Sequence, residues 1–417
     1  MRILRLTLAL EKKLLAARLV RDPQAERIAA GVVADVRRRG DPALLRWTNR
    51  FDHLALRAKD LWITQKEIRA AERNVSPGFL GAIRQAARNI RRVAEKQLPR
   101  PWSLTVEPGV RIRQYVTPIE SIGCYVPGGR FSLVSTLLMT TVPAQVAGVP
   151  RVIAVCPRPN NGLLAAAKLL GIGEIARIGG AQAIAALAYG TKSIPRVEKI
   201  FGPGNKYVTA AKQLISADCA IDLPAGPTEA IVLAERGDSR SIAADLLAQA
   251  EHAPDAASFL VTTSLALAQE VATEVARQLR ALAPDNPAHQ SIESVGALLL
   301  APSLPAARAF VNRFAPEHLS LPSDAASHLQ QIRSSGTIFL GPWSGQPFGD
   351  YISGSNHVLP TAGWARRRGG LSAADFVKCI SVQEISRVGF RSLRAGAETL
   401  ASCESLEAHR NAVRIRR

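Results

Sequence analysis

The amino-acid sequence predicts an α/β fold in which parallel strands alternate with crossover helices. From about residue 120 onward, short apolar runs rich in β-branched residues alternate with stretches of helical composition. Glycines stand where the predicted strands give way to helices. A chain of 417 residues with 47% hydrophobic residues is long enough and apolar enough for two or more domains and a large buried core.

The alternation can be followed element by element. RVIAVC (151–156) predicts a buried parallel strand, and GLLAAAKLLG after it predicts a helix. The pattern then recurs as strand IARIGG with helix AQAIAALAYG, strand VEKIFGPG with helix NKYVTAAKQLIS, and strand CAIDLPAG. Because ligands bind at the carboxyl ends of strands in such sheets, we expect Gly179-Gly180 and the segments 202–205 and 224–227 to line one rim. Their glycines let backbone N–H groups approach a phosphate, so a nucleotide is one candidate ligand.

Cysteine usage indicates a reducing compartment. The five cysteines are few, odd in number and widely spaced, which argues against a disulfide framework. No CxxC pair offers a cysteine-built zinc site, and each thiol is by default a small buried hydrophobe. We therefore expect a cytoplasmic protein with free thiols at Cys124, Cys156, Cys219, Cys379 and Cys403.

Two segments have some features of targeting or membrane signals. The first 21 residues are basic and amphipathic, but they contain Glu11, lack serine and show no small-residue cleavage site, so we expect a docking arm. The uncharged run 131–150 is long enough to span a bilayer. Its Pro143, Gln145 and hydroxyl side chains make that unfavourable, and we expect no membrane partner.

The net charge of +19, from 53 Lys and Arg against 34 Asp and Glu, raises the alternative of a basic nucleic-acid-binding protein. The basic clusters are short and scattered, aromatic residues make up only 5% of the chain, and no nucleic-acid motif interleaves the clusters. Solvated basic faces are therefore the preferred interpretation, and no nucleic-acid partner is expected.

The second half of the chain contains the residues suited to chemistry. The segment SRSIAADLLAQAEHAPD (239–255) predicts a helix with Ser239 as its N-cap and Pro254 beyond its end. Gln249 and His252 are three residues apart and therefore share one face of that helix. A single histidine in such a place is usually a satisfied core or surface residue.

The stretch FAPEHLSL (314–321) sets a carboxylate and an imidazole side by side, Glu317 and His318, within apolar sequence. A buried pair of this kind can have proton affinities tuned towards neutral pH, as acid–base catalysis requires. The alternative is a helix end at Pro316 with both side chains facing water. These eight residues alone favour the alternative.

Four histidines stand in dense polar motifs: His252 in QAEHAPD, His318 in APEHL, His357 in GDYISGSNHVLP and His409 in ESLEAHRNAV. Asp350 adds a carboxylate in the third of these motifs. Imidazoles and carboxylates from distant segments are the composition of a catalytic metal site with an open position. Spacing alone does not show that they converge.

At these motifs the sequence resembles the histidinol dehydrogenase family over nearly its whole length. The resemblance implies a zinc enzyme that oxidises L-histidinol through the aldehyde to L-histidine with reduction of two NAD+, in the last steps of histidine biosynthesis. The motifs occur in the family's order: YVPGGR (125–130), GGAQAIAALAYGT (179–191), VEKIFGPGNKYV (197–208), DLPAGPTE (222–229), QAEHAPD (249–255), APEHL (315–319), GDYISGSNHVLPT (349–361) and ESLEAHRNAV (404–413).

The resemblance also implies a role for each site residue. His318 is implied as the general base for both oxidations, and Glu317 as the group that activates the water attacking the aldehyde. One zinc ion per subunit would orient the substrate. The implied zinc ligands, which also contact substrate, are Gln249, His252, Asp350 and His409. Further substrate positions are Ser135, Thr136, Thr228, Glu317, His357 and Glu404, and the NAD+ positions are Tyr125, Gln182 and Asn205.

Spacing alone would favour Glu251 or Asp255 over Gln249 as a metal ligand, because amides are unusual zinc ligands. Cys124 and Cys156 suggest a thiohemiacetal route, as in aldehyde dehydrogenases. Neither has an adjacent basic residue to lower its pKa, so that route is disfavoured.

The family architecture implied by the resemblance is an intertwined homodimer with two Rossmann-like domains of parallel sheets and crossover helices. Residues 1–19 would form a short N-terminal helical arm. Residues 20–124 and 229–371 would form the first domain, with the zinc and catalytic residues, and 125–228 the inserted NAD domain. The small helical region 372–417 would be a dimerisation tail that carries Glu404 and His409 into the neighbouring active site.

The sequence departs from the family pattern at Thr228, where a serine is usual, and at Leu133-Val134, where Tyr-Pro is usual. Both lie near the expected substrate and cofactor. They leave open a related zinc- and NAD-dependent dehydrogenase of another small alcohol or diol.

Overall fold

A computed structural model describes residues 1–18, 22–128, 133–224, 226–322 and 329–416. The last two residues of the YVPGGR motif, part of the uncharged run 131–150, Ala225 of DLPAGPTE and the end of the predicted arm lie outside the described residues. The strands are β1 (Arg2–Arg5), β2 (Trp102–Glu107), β3 (Val110–Pro118), β4 (Ser121–Tyr125), β5 (Arg151–Val155), β6 (Ile175–Ala176), β7 (Lys199–Phe201), β8 (Ala220–Ile221), β9 (Glu229–Leu233), β10 (Ala257–Thr262), β11 (Ala297–Leu300), β12 (His318–Leu321), β13 (Thr337–Leu340) and β14 (Val377–Ile385).

Helices cover both faces of the parallel sheets, as buried parallel strands require. Short 3-10 helices lie at Ala58–Asp60, Glu72–Asn74, Trp364–Arg366 and Ala373–Phe376. The described α-helices are α1 (Leu8–Ala17), α2 (Pro23–Arg39), α3 (Asp41–Asp52), α4 (Gln65–Ala71), α5 (Pro77–Gln97), α6 (Val134–Ala147), α7 (Asn161–Leu170), α8 (Gly180–Tyr189), α9 (Lys206–Ile215), α10 (Ser239–Ala250), α11 (Leu265–Leu279), α12 (Ala288–Ser294), α13 (Leu304–Phe314), α14 (Gln346–Tyr351), α15 (Arg387–Cys403) and α16 (Glu407–Arg414).

The strands and helices predicted between residues 151 and 221 are confirmed. They form a five-stranded parallel sheet in the order β6-β5-β4-β7-β8. Across the sheet, the strands therefore come third, second, first, fourth and fifth in the order of the chain. The direction of winding reverses between β4 and β7. Gly179-Gly180 lies beyond β6 and Gly202 directly follows β7, which places these glycines at the carboxyl rim.

The six-stranded sheet has the order β1-β11-β10-β9-β12-β13, and all its strands are parallel. Without β1 it repeats the winding of the five-stranded sheet. The N-terminal segment adds β1 beside β11, and Leu10 and Leu14 of α1 pack on the core formed by Phe310 and Phe314. The predicted docking arm thus packs on its own chain.

Helices α2 to α5 pack against the five-stranded sheet. Val36 and Leu44 share a core with Ile200 of β7, and Ile90 of α5 shares a second core with Leu137 of α6. This packing favours grouping α2 to α5 with the five-stranded sheet. The family resemblance instead implied that residues 20–124 belong to the first domain, together with residues 229–371. The predicted boundary at residue 125 falls at the end of β4.

The segment 346–376 connects the two parallel sheets. The Asn356 side chain donates a hydrogen bond to Met139 O of α6 at 2.7 Å. The Phe376 ring stacks on Phe201 of β7 with centroids 4.1 Å apart. The segment therefore holds the six-stranded sheet against the carboxyl rim of the five-stranded one.

The remaining strands form an antiparallel sheet in the order β14-β3-β2, and it leads into the C-terminal helices. Helix α15 packs on α16 and on β14. Many large apolar side chains of this region are exposed, including Trp102, Leu104, Val106, Tyr115, Ile380, Val388, Leu400 and Ile415.

Helix α10 begins at Ser239, but its N-cap is Asp238, so the prediction of Ser239 as the N-cap is wrong. The Asp238 carboxylate accepts hydrogen bonds from Arg240 N and Ser241 N. A carboxylate can satisfy two N–H groups of the first turn and also favours the positive end of the helix dipole.

The uncharged run predicted not to span a membrane contributes α6, which contains Pro143. None of the helices in the described ranges is both long and apolar enough to cross a bilayer.

Gly202 allows β4 and β7 to approach closely at the carboxyl rim. It has a φ of 112°, and a Cβ atom there would lie 2.1 Å from Tyr125 O. We predict that Gly202→Ala lowers the free energy of unfolding by about 2–4 kcal/mol, because backbone strain adds to the forced shift of that carbonyl. Urea unfolding measures the change.

Gly31 inside α2 provides the matched control. It has nothing within 4 Å of its Cβ position, so Gly31→Ala should raise the free energy of unfolding by about 0.5–1 kcal/mol. A Gly202→Ala protein as stable as the wild type would contradict the close-approach argument.

Candidate active site

Glu317 and His318 lie buried at the amino end of β12 in the six-stranded sheet. Helix α13 ends at Phe314, Ala315 adopts a left-handed conformation with φ 51°, and β12 begins at His318. The side chains of Glu317 and His318 have relative exposures of 9% and 3%. The alternative in which both side chains face water is therefore wrong.

The Glu317 carboxylate is held through one of its oxygens. Glu317 Oε2 accepts a hydrogen bond from Glu229 N at 3.0 Å and another from the Thr228 hydroxyl. Because both bonds involve Oε2, Oε1 is left to accept a hydrogen bond from a water molecule. The pairing of β12 with β9 brings these residues together.

The Thr228 hydroxyl also determines the orientation of Gln249. A hydroxyl has one proton, and here that proton is donated to the Glu317 carboxylate, which can only accept. The Gln249 atom 2.5 Å from Thr228 Oγ1 must therefore be the amide nitrogen. The amide oxygen of Gln249 points away, is buried, and has no hydrogen-bond partner among the described residues.

His318 lies between two carboxylates. Its Nδ1 is 3.7 Å from Glu317 Oε2, its Nε2 is 3.7 Å from Asp350 Oδ1, and its ring stacks on Phe339 with centroids 5.8 Å apart. Neither nitrogen has a hydrogen-bond partner in the part of the chain that the structure describes. Burial alone would lower the pKa of His318, but the two carboxylates outweigh it and raise that pKa above its ordinary value.

Asp350 reaches this position from the short helix α14. Gly349 permits the approach, because a Cβ atom there would lie 2.7 Å from the Phe339 ring. Burial alone would raise the pKa of Asp350, but His318, together with the more distant His357 and His252, lowers it. These imidazoles therefore favour the ionised form of the Asp350 carboxyl group.

His357 connects the site to the five-stranded sheet. Its Nδ1 donates to Asp350 O at 3.0 Å, so in the neutral ring Nε2 is the acceptor and lies 3.4 Å from the Thr136 hydroxyl. Burial lowers the pKa of His357 and favours this neutral form. Ser135, the neighbour of Thr136, is half-buried in the first turn of α6.

His252 lies just beyond the end of α10 and is exposed. Its Nδ1 donates to Ala248 O at 3.0 Å, so in the neutral ring Nε2 carries the lone pair. A backbone carbonyl bound to the other nitrogen is the usual way in which a metal-binding imidazole is oriented.

The structure does not bring Glu404 and His409 to the other predicted site residues. Both side chains are exposed on the C-terminal helical region. Among the described residues, no group of three or more His, Cys, Asp and Glu side chains is placed to hold a metal ion. Gln249, His252 and Asp350 thus belong to one region of the single chain, and His409 to another.

The predicted cofactor residues lie around the carboxyl rim of the five-stranded sheet. The Tyr125 hydroxyl accepts a hydrogen bond from Gly180 N at 3.2 Å. Gln182 donates to Asp52 at 2.9 Å, and its buried Oε1 has no hydrogen-bond partner within the described ranges. The Asn205 side chain caps α9 by accepting from the next N–H groups along the chain.

An ion pair fixes the loop between β7 and α9. Lys212 pairs with Asp222, and both side chains are buried. Lys212 Nζ also donates to Gly202 O at 2.9 Å, while Asp222 accepts from Gly202 N at 2.8 Å. The loop 202–205 is therefore held through both backbone polar groups of its first residue, Gly202.

The thiol beside Tyr125 is unsuited to nucleophilic catalysis. Cys124 is completely buried, and burial raises the pKa of its thiol to about 12. Since the thiolate is the reactive species, a thiohemiacetal at Cys124 is disfavoured.

Sequence reasoning assigned no role to Glu229, which holds Glu317 through its backbone N–H. Its own carboxylate is buried beside Arg18 and Ala362 N. Burial is the main cause that raises the pKa of Glu229 to about 7, and the Arg18 guanidinium opposes it. An acidic residue at the start of the apolar strand EAIVL was the available signal.

Comparison with known proteins gives consistent matches over the whole chain. The family model described as Histidinol dehydrogenase matches residues 17–417. The histidinol dehydrogenase of Geobacter sulfurreducens is 45% identical over 400 residues, covering 94% of this chain and 93% of that protein. That of Methanosarcina barkeri is 45% identical over 394 residues, covering 92% and 90%.

Solved structures agree with these matches. The crystal structure of histidinol dehydrogenase from Elizabethkingia anophelis has a TM-score of 0.94 at 37% identity, covering 100% of this chain and 97% of that chain. Lactaldehyde dehydrogenase from Escherichia coli has a TM-score of 0.50 at 14% identity, covering 85% and 92%, which shows a similar fold alone. The predicted α/β fold with parallel sheets is confirmed.

Proposed function

The chain belongs to the histidinol dehydrogenase family, and we propose that it oxidises L-histidinol through L-histidinaldehyde to L-histidine with reduction of two NAD+. It is thus an NAD-dependent oxidoreductase of histidine biosynthesis. The observation that supports the assignment of residues is the buried imidazole of His318, with both nitrogens unpartnered in the described structure, beside the Glu317 carboxylate. A cytoplasmic location is our expectation from the few and widely spaced cysteines.

His318 is the proposed base for the first oxidation. An alcohol releases hydride only as its hydroxyl proton is removed, and an imidazole with a pKa near neutrality is suited to take that proton. The raised pKa of His318 increases its affinity for the proton it receives. Asp350, 3.7 Å from Nε2, would stabilise the resulting imidazolium.

Glu317 is the proposed base for hydration of the aldehyde. Its Oε1 would take a proton from water as the water oxygen attacks the carbonyl carbon, while the carbonyl oxygen receives the proton that His318 took in the first oxidation, which forms the aldehyde hydrate. His318, neutral again, would then remove a hydroxyl proton from the hydrate while hydride leaves the same carbon. This gives the carboxylic acid, which releases its remaining proton to solvent as the carboxylate. This sequence needs no covalent thiol, consistent with the raised pKa of Cys124.

The zinc ligands proposed from the family resemblance fit the chemistry of the side chains present. Gln249 offers a buried amide oxygen without a hydrogen-bond partner among the described residues, His252 offers Nε2, and Asp350 offers an ionised carboxylate. Zinc, when bound, would hold the substrate's imidazole and amino group in a fixed orientation. His409 of a second subunit would complete the set.

The cofactor residues also fit. The N-terminus of α8 has no side-chain N-cap and offers backbone N–H groups to a pyrophosphate. Gln182 Oε1 offers a buried acceptor. NAD+, when bound, would accept the hydride in each oxidation, and Tyr125 and Asn205 are its further proposed contacts.

We propose a homodimer in which each C-terminal tail completes the neighbouring site. Several large apolar side chains of β2, β3, β14 and α15 are exposed, and exposed apolar side chains grouped on one region mark protein–protein contact surfaces. Glu404 and His409 are exposed and stand apart from the other proposed site residues of the same chain, so we assign them to the site of a neighbouring subunit. Residues 372–417 are the proposed dimerisation tail, and the two parallel sheets mark the proposed domains.

A related small alcohol is the second candidate substrate. Leu133 is 44% exposed at the start of α6, two residues before Ser135, where the family pattern has a polar ring. Thr228 gives no such support, because its hydroxyl makes bonds that a serine hydroxyl can also make. NADH formation with L-histidinol, compared with small diols that lack an imidazole, distinguishes the two candidates.

We predict that Thr228→Val weakens zinc binding about 10- to 100-fold, the usual effect of removing a group that orients a metal ligand. Valine has the shape of threonine but releases the Gln249 amide and the Glu317 carboxylate. Thr228→Ser should bind zinc as the wild type does. Competition against a chromophoric chelator measures the affinities, and wild-type zinc affinity in Thr228→Val would contradict the proposed orientation.

His252→Ala should bind zinc more weakly than Thr228→Val, because it removes a ligand. His289→Ala is its matched control, since His289 of α12 is half-buried and its ring is likewise bonded to a backbone carbonyl, here through Nε2 to Ala283 O. Zinc affinity in that control should not change.

We predict different single-turnover behaviour for the two catalytic neighbours. His318→Ala should slow both oxidations by roughly two to four orders of magnitude, the usual contribution of a positioned base. Glu317→Gln should still give about one NADH per histidinol, with aldehyde accumulating and the second NADH delayed, because alcohol oxidation consumes no water. Rapid mixing of enzyme in excess over histidinol follows both NADH equivalents. Equal loss of the first NADH in both variants would contradict separate roles.

We predict that a mixture of His252→Ala and His409→Ala subunits regains activity that neither variant has alone. In a hybrid dimer with exchanged tails, one site carries both changes and the other is intact. Random reassociation should therefore restore about a quarter of wild-type activity, because half the dimers are hybrids with one intact site. A tail that served its own subunit would leave every hybrid inactive.

A further inference from the structure

We propose that Arg18, in the N-terminal arm, is a positioning residue that fixes the Glu317 carboxylate for aldehyde hydration. Arg18 caps the end of α1, and its side chain has a relative exposure of only 9%. The inference rests on the role of Glu317 proposed above. It assigns to the arm a function in the second oxidation in addition to its place in the sheet.

Arg18 is bonded to the residue that holds Glu317. Its Nε donates to Glu229 Oε1 at 2.9 Å, and a second guanidinium nitrogen pairs with Glu229 Oε2. Two parallel bonds of this kind fix both the distance and the angle of a carboxylate. Glu229 N in turn donates to Glu317 Oε2 at 3.0 Å, so the orientation of Glu317 depends on the place of Glu229.

Arg18 also holds the chain segment that leads directly into Glu317. It donates to Phe314 O and, at 3.4 Å, to Ala315 O, and its guanidinium lies 3.7 Å from the centre of the Phe314 ring. The Arg18 side chain therefore contacts both segments that hold Glu317, namely the start of β9 at Glu229 and the turn before Glu317.

The backbone at both ends of this arrangement is strained. Within the described ranges, four non-glycine residues have a positive φ, and Ala315 and Ala362, each at 51°, are two of them. Arg18 bonds the carbonyl of Ala315, and its partner Glu229 accepts from Ala362 N at 2.7 Å. Strained conformations persist only where surrounding contacts hold them, and the Arg18–Glu229 pair provides such contacts for both.

The charge of Arg18 matters because two carboxylates lie close together. Glu229 and Glu317 are both buried and are joined by a hydrogen bond from the backbone of one to the side chain of the other. Without a cation beside Glu229, a buried carboxylate would be left unpaired next to Glu317. Moving either carboxylate would turn Glu317 Oε1 away from the water it is proposed to activate.

The arm has a second anchor that serves as a matched control. Arg313 of α13 pairs with Glu11 of α1 through two hydrogen bonds, at a side-chain exposure of 50%. This pair ties the same helix to the same core. Breaking it loosens the arm and leaves the Arg18–Glu229 pair in place.

The test compares Arg18→Met, Arg18→Lys and Arg313→Met by single turnover of L-histidinol, with thermal unfolding recorded for each. Arg18→Met should delay the second NADH at least about tenfold more than the first, because small displacements of a reacting group cost up to about 100-fold in rate. Arg18→Lys keeps the charge without the two parallel bonds and should give an intermediate delay. Arg313→Met should lower the melting temperature and leave the ratio of the two steps unchanged.

Two results would overturn the inference and reduce Arg18 to a structural role. One is equal slowing of both oxidations in Arg18→Met, and the other is a ratio of the first to the second NADH rate that is the same in Arg18→Met as in Arg313→Met. If Arg18→Met does not fold, Arg18→Lys and Glu229→Gln take its place. Both variants must then delay the second NADH more than the first. Failure of the proposed function is distinct, because wild-type enzyme would then form no NADH from L-histidinol.

Discussion

The hydroxyl group of Thr228 has one proton, and the arrangement of the active site depends on where that proton goes. Glu317 can only accept it, so the same oxygen must accept from the amide nitrogen of Gln249. This leaves the Gln249 oxygen free for a cation and holds Glu317 by one oxygen only. One small side chain thereby sets the donor and acceptor directions of the proposed metal site and of the proposed hydration base together.

The two parallel sheets present opposite ends to the site. The five-stranded sheet follows the rule that ligands bind at carboxyl ends, with its glycine-rich turns at that rim. The catalytic pair instead precedes or begins β12, at the amino end of the six-stranded sheet. The proposed hydride acceptor, at the carboxyl rim of one sheet, and the proposed base, at the amino end of the other, can meet only if the two sheets face each other end-on. The contact of His357 with Thr136 and of Asn356 with Met139 holds them in that relation.

The strands between residues 151 and 221 could be predicted from sequence because they are apolar on both faces and are separated by glycines. The burial of Glu317 and His318 could not, since eight residues do not show what packs over them. Gln249 emerged only from the family resemblance, because its free oxygen depends on Thr228, 21 residues away in the chain. The Arg18–Glu229 pair spans 211 residues, and no local pattern marks such a contact. Even the cap of α10 lies one residue earlier than predicted, because Asp238 satisfies two N–H groups.

A site that takes its last ligand from another subunit links metal binding to association. In the single chain, Gln249, His252 and Asp350 provide an incomplete set, and His409 is exposed on a tail whose apolar neighbours are also exposed. An ion that binds the complete ligand set more tightly than the incomplete set must stabilise the dimer. The free energy by which the ion stabilises the dimer equals the free energy by which dimerisation strengthens binding of the ion. The exposed apolar surface would supply the association that a single coordinate bond cannot. In the proposed dimer the tail would contribute hydrophobic area as well as a ligand, and the proposed chemistry at Glu317 and His318 would depend on both.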